Sequence, residues 1–360
     1  MFGYVHLRTL FRYASNDVKE PRIIAIDWSG RSGREQRRTL WLAETIDRQL
    51  VRLENGRTRD QIVEVLVAEK DRDPHLVVGL DFAFSLPAWY LRERGLTART
   101  LWAALAEKAL TPAMRQVGLA RWMNTPEPPF WTTGEAHRLL APDQKFRRTE
   151  HEVRAPGSQP KSVFQLVGAG QVGRGSLYGM QALHRLVASG FRIWPFDAPG
   201  LPRVVEIFPR LLTGAVTKNR QRDRERYLAA LAMPSELRRL AATSEDAFDA
   251  AVSALVMVAS VDELLGLRHE PDYALEGKIW QPRAPVALAR AEPESPTSEG
   301  EITTVVARVI GEAAARDDSA DAQAKQVLEK LHRRGLLRGA SKATRYSSTT
   351  AETDMRVMPS

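Results

Sequence analysis

The chain has 360 residues, 43 % of them hydrophobic, and a formal net charge of +8. That is enough to bury the core of one large domain, or of one domain with a small appendage. Of 52 basic residues 42 are Arg, a balance that suits polyanions such as nucleic acid and that an Arg-rich genome produces equally well. There is no cysteine, which excludes disulfides, thiolate zinc sites and Cys nucleophiles. No apolar run approaches the roughly 18 residues of a membrane span, and residues 1–20 lack the apolar region of a signal peptide, so a cytoplasmic protein without a membrane partner is expected.

Residues 1–20 read as an N-terminal arm. RIIAIDW (22–28) is a β-branched apolar run ending on an acid; TLWLAE (39–44) and QLVRLEN (49–55) follow with polar turns between them, the pattern of an antiparallel meander. Residues 58–69 have a Thr N-cap and helical apolar spacing, and HLVVGLDFAFS (75–85) is a buried-strand run that again closes on an acid, Asp81. Residues 86–160 hold four of the eight Trp and read as a long, partly helical insertion. LVGAGQVGRG (166–175) precedes a helix over 177–188, a strand around 191–195 and a third acid-ended strand, PRVVEIF with Glu206. Residues 220–231 predict a basic-headed helix and 244–266 a long apolar one. The domain so defined spans 21–282; 283–300 has the composition of a linker, 301–338 that of two amphipathic helices, and 339–360 that of a disordered tail.

Asp27, Asp81 and Glu206 each end an apolar strand, and Asp246-Ala-Phe-Asp249 places two carboxylates one turn apart on one helix face. Any one alone reads as well as a cap or a solvated end. Together, strand-end acids of an α/β sheet open on a shared crevice. Clustered carboxylates repel unless a cation lies among them, and Mg²⁺ or Mn²⁺ prefer such oxygen ligands. Two such ions about 3.5–4 Å apart activate water and stabilise the leaving oxygen in phosphodiester hydrolysis. A two-metal nuclease acting on DNA or RNA is therefore the leading expectation.

The order meander, helix, acid-bearing strand and acid-bearing helix is the layout of an RNase H-like α/β fold, a mixed sheet with a three-strand antiparallel meander and flanking helices. DAFDAAVSAL resembles the DxxDAxxxA helix of the RuvC Holliday-junction resolvases. The ordered set IDWSG, GLDFAFSLP, KSVFQLVGAG, WPFD, VVEIFPR, DAFDAAVSAL and EGKIWQP resembles domain-of-unknown-function family 429 over residues 21–282. Members of that family are described as predicted nucleases of the RNase H fold. The resemblance implies Asp27, Asp81, Glu206 and Asp249 as catalytic metal ligands, with Asp246 as a further ligand or reserve. Trp28 stands where such strands often carry a small residue; it either turns to the opposite face or narrows the mouth of the site.

Gly168-x-Gly170-x-x-Gly173 has dinucleotide-loop spacing, yet it does not open the domain, and Asp197 beyond it lies in a turn-like WPFD. Three readings stay open: a nucleotide loop, a cradle for substrate phosphate with Lys161 and Ser176, or a tight turn. Lys218, in the densest basic run (218–226), and Lys278, in EGKIW, are further candidate phosphate contacts. The alternatives to a nuclease are a non-catalytic nucleic-acid-binding protein and a nucleotide-binding protein, since the actin-like ATPases share the RNase H-like core. Val305, Val309, Val327 and Leu331 give the C-terminal helices apolar faces suited to docking or to a homodimer.

Overall fold

Six runs of the chain pair into one mixed sheet: β1 (Arg22–Asp27), β2 (Trp41–Ile46), β3 (Gln49–Glu54), β4 (Leu76–Leu80), β5 (Arg192–Ile193) and β6 (Arg203–Glu206), in the order β3-β2-β1-β4-β6-β5. β1, β2 and β3 form the expected antiparallel meander, while β4 runs parallel to β1, and β6 parallel to both β4 and β5. The helices are α1 (Gly33–Thr39), α2 (Arg59–Arg72), α3 (Ala88–Glu93), α4 (Ala98–Ala106), α5 (Pro142–Lys145), α6 (Arg148–Glu152), α7 (Val172–Ala188), α8 (Pro209–Thr213), α9 (Gln221–Ala229), α10 (Ser235–Ala241), α11 (Glu245–Ala259) and α12 (Val261–Gly266). This computed structural model describes residues 20–107, 128–132, 140–153, 160–167, 172–214, 216–284, 286, 288–290 and 325. Residues 1–19, the tail 339–360 and, apart from Lys325, the helices expected over 301–338 lie outside the described residues.

Side chains alternate across a strand, and here each parity enters its own core. Ile24, Ile26, Val78 and Leu80 pack with α2 (Ile62, Leu66) and α7 (Leu177, Met180, Leu183). Ile23, Ala25, Val77 and Val205 pack with α11 (Phe248, Ala251, Val252, Leu255). A sheet covered on both faces needs continuous apolar strands rather than alternating ones, which is why RIIAI and LVVGL carry no polar residue past Arg22. Gly79 lets α11 lie close on the sheet, since a Cβ there would fall 2.5 Å from Met257 Sδ and 3.0 Å from Ile207 Cγ2.

Several local expectations are corrected. Residues 33–39, read as a polar turn, form α1. The long helix 244–266 breaks at Ser260 into α11 and α12. The first part of the supposed insertion is a layer of the domain: α4 runs along α7, and the buried Trp102 indole donates to Phe84 O at 2.7 Å. The start of the supposed linker is docked, with Val286 and Leu288 packed on the α11 core and Ala232 N donating to Ala289 O at 2.9 Å. One compact unit runs from Met1 to Ala291, and Glu292–Ser360 forms a second. No helix among the described residues is long and apolar enough to cross a membrane.

Candidate active site

Asp27 and Asp81 leave adjacent parallel strands side by side. The last register pair of β1 and β4 is Ile26–Leu80, and Asp81 N donates to Ile26 O at 3.1 Å. Counting in twos, Asp27 continues the row Ile23–Ala25 and Asp81 the row Val77–Gly79, so both carboxylates leave on the α11 side of the sheet. There α11 begins. Ser244 caps it, accepting from Ala247 N at 3.0 Å. Asp246 lies in its first turn, where the helix dipole favours an anion, and Asp249 follows one turn on.

These acids sit closely enough to govern one another's protonation. Burial first, then Asp81, Asp246 and Asp249, push Asp27 well above the usual carboxylate range, against the pull of Lys218. Burial and Asp249 do the same to Asp81. Burial raises Asp249 to about 6, opposed by Lys218, and raises Asp246, opposed by Lys218 and Arg31. Lys218 is thus the positive charge common to all four. Its ammonium bonds Asp249 Oδ2 directly. The loop that carries it is pinned by buried Arg224, which donates to Lys218 O and, through Nε and Nη2, to Ala242 O at 3.0 and 2.8 Å.

Glu206 does not join them. Its partner across β4 is Leu80, not Asp81, and by parity it follows Val204 onto the α7 side. There Arg147 takes both its oxygens, Nη1 to Oε2 at 2.9 Å and Nη2 to Oε1, while Phe84 N donates to Oε2 at 3.0 Å. Its charge still reaches Asp81, but its lone pairs are committed to the protein, so the ligand role expected for it is withdrawn. Arg147, which the sequence reading did not single out, also bonds Glu150 Oε1 at 3.0 Å and Glu276 O at 2.9 Å.

The glycine stretch is described only in part. Gly168 and Gly170 lie outside the described residues. Gly173 is a packing position: a Cβ there would fall 2.1 Å from Val163 O and 2.8 Å from Gln165 O. Ser176 is fully buried, its hydroxyl accepting from Ala83 N at 3.0 Å and donating to Val172 O at 2.8 Å, so it holds the chain after Asp81 against α7 instead of contacting phosphate. Among the described residues, the segment before α7 contributes one bridge, Trp131–Gln165, and no strand of the sheet. Asp197 closes a turn, accepting from Ile193 N at 2.6 Å and from Arg99. Trp28 turns away from the acids, its indole donating to Gly175 O at 3.1 Å and its ring packing on Phe82. Lys278 is paired with Glu270 at 2.6 Å and lies over the Tyr273 ring. Lys161 is exposed and, among the described residues, bonded to none of the acids. Gly173→Ala is expected to cost about 1–3 kcal/mol, read as a lower urea midpoint at unchanged m; an unchanged midpoint would refute the packing role.

The donor chemistry fits a hard divalent cation. The cluster offers carboxylate oxygens, its like charges suppress ionisation, and Asp249 Oδ1 is a buried carboxylate oxygen with no hydrogen-bond partner. As they stand, no three carboxylate or imidazole side chains among the described residues close around one ion, and the Lys218 ammonium supplies the nearest positive charge to Asp249. Comparison with protein-family models, curated proteins and solved structures returned no match.

Proposed function

We propose that this chain is a metal-dependent nuclease of RNase H-like fold that hydrolyses phosphodiester bonds of nucleic acid. The observation that carries the reading is the convergence of Asp27, Asp81 and Asp249 from two strand ends and one helix onto one side of the sheet, at the cost of raised protonation. Groups whose environment opposes their charge mark functional sites more often than structural ones. The antiparallel meander, the α2 crossover and the acid-bearing β4 support the fold assignment, as does the ordered motif set, which here stands without a matching family model.

Asp27, Asp81 and Asp249 would hold Mg²⁺ or Mn²⁺, with Asp246 beside them. Bound there, such an ion supplies Lewis-acid charge stabilisation and an activated water. The chain itself positions the carboxylates on two rigid strands and a capped helix, which fixes them better than loops could. Lys218 offsets their repulsion from a loop that Arg224 holds in place. The C-terminal helices that would carry a homodimer contact lie outside the described residues.

The test is cleavage of labelled single-stranded, duplex, hybrid and four-way-junction substrates by purified protein, with Mg²⁺, Mn²⁺ or EDTA, beside Asp249→Asn. Metal-dependent cutting that the variant loses supports the reading. One observation favours a second reading, a nucleic-acid-binding protein with a silent site: Lys218 already neutralises Asp249. Tight binding without cutting in either metal would select it.

A further inference from the structure

Two arginines, Arg59 and Arg174, lie close enough to feel each other's charge beside the loop that follows Asp27. Arg59, the first residue of α2, donates through Nη1 to Ser29 O at 2.8 Å and to Arg31 O at 2.7 Å, so it grips the loop that follows Asp27. Its guanidinium lies 4.0 Å from the centre of the Tyr178 ring. Tyr178 is four residues after Arg174 on α7, hence one turn along the same face. The same loop touches that turn of α7 directly: a Cβ on Gly30 would fall 2.7 Å from Gly175 N. Arg174 Nε is buried without a hydrogen-bond partner. The neighbouring acid, Asp60, is exposed and bonds Arg185 at 2.6 Å, so it acts on Arg59 only through its charge.

Like charges held together this way need a reason. Burial, with Arg174 adding to it and Tyr178 and Asp60 opposing, lowers Arg59 to about 10. Each arginine also sits in the first turn of a helix, where the backbone already favours negative charge and a cation is misplaced. Arg59 and Tyr178 line a cleft of about 260 Å³, with Gln36, Asp60, Gln181 and Arg185 as its other polar walls, Asp60 being bonded to Arg185. Arg31, on the gripped loop, is with Lys218 one of the two cations that Asp246 feels, so this loop carries positive charge toward the acids. A guanidinium pair with open donors matches the oxygens of a phosphate.

We propose that Arg174 and Arg59 form a phosphate-binding site beside the carboxylate crevice, which holds a backbone phosphate of the nucleic acid next to the one to be cut. The substrate identity rests on the nuclease reading; the phosphate site does not. It also gives the glycine stretch a role. Gly173 and Gly175 let the first turn of α7 pack against Val163 and Gly30, and Arg174 between them is the residue that meets phosphate.

The experiment uses the full chain in EDTA. Thermal unfolding is followed with inorganic phosphate against chloride at equal ionic strength, for wild type, Arg174→Gln, Arg174→Lys and the control Arg48→Gln, an exposed arginine of the β2–β3 turn that does not line the cleft. Arg59 is left intact because its loss would free the loop after Asp27. Phosphate is expected to raise the wild-type and Arg48→Gln midpoints, to leave Arg174→Gln unmoved, and to raise Arg174→Lys in part. In parallel, the salt dependence of binding to a labelled oligonucleotide is expected to lose about one unit of slope in Arg174→Gln. A wild type indifferent to phosphate, or an Arg174→Gln that responds like wild type, overturns the site. A phosphate response lost in Arg174→Gln, with no cutting of any substrate, upholds the site and sinks the nuclease reading. Metal-dependent cutting with an unchanged salt slope does the reverse.

Discussion

Arg147→Met is expected to cost about 3–5 kcal/mol of stability, the range for removing one partner of a buried ion pair. Arg147 is 1 % exposed and bonds Glu206, Glu150 and Glu276 O at once. Glu206 and Glu150 are buried beside it, and burial raises Glu150 against the pull of Arg147. Without the guanidinium, two carboxylates would remain side by side in apolar surroundings with no counter-charge. The loss should therefore grow as pH climbs from 4 toward 7 and the orphaned acids are asked to ionise. The triple variant Arg147→Met, Glu150→Gln, Glu206→Gln removes the charges together and is expected to recover more than half of the loss. Urea midpoints at constant m read all of this. A single variant within about 1 kcal/mol of wild type would show that the triad does not hold this edge of the sheet. Because Glu206 adjoins Asp81 through the sheet, cleavage should also fall in the single variant and return in part with the triple.

Part of the site could be read from the chain because its logic is local. RIIAID and LVVGLD announce buried strands that release an acid, and DAFD announces one helix face. Glu206 has the same local signature and a different fate. What separates it is register: β6 meets β4 with Glu206 opposite Leu80, so its parity sends it to the α7 side. A one-residue offset reverses the face of every side chain, and no single strand's sequence reveals the offset to its neighbour. Lys218 stood out in a basic run, but only the fold shows that this one cation of the run meets Asp249. Arg147, Arg59 and Arg174 were hidden by composition. Among 42 arginines, a buried one differs from a solvated one only through long-range packing. At Gly173 the spacing has a packing reading: close contact with Val163 O and Gln165 O demands glycine as strongly as a phosphate does.

Asp27→Asn should change stability and activity in opposite directions. In the folded chain Asp27, Asp81 and Asp249 bind protons more tightly than in the unfolded chain. The sign follows: their contribution is most favourable below the unfolded carboxylate value near 4 and is lost as pH rises through the folded values, about 6 for Asp249. Metal-free protein should thus lose stability between pH 4 and 7. Mg²⁺ or Mn²⁺ should restore it at pH 7.5 and do little at pH 5, because a ligand that binds only the folded state stabilises it by mass action. Asn at position 27 removes a buried charge that Asp81, Asp246 and Asp249 oppose. In EDTA at pH 7.5 it should be more stable than wild type, with a flatter pH profile and a weaker response to the ion. Cleavage should fall about 10³-fold, the rate equivalent of the several kcal/mol a metal ion supplies to a transition state. Thermal scans across pH with and without ion, beside the cleavage assay, read both effects. An Asp27→Asn that is less stable than wild type in EDTA at pH 7.5, with the same pH slope, would mean the carboxylate is a structural partner. The strain assigned to this cluster would then have no functional origin.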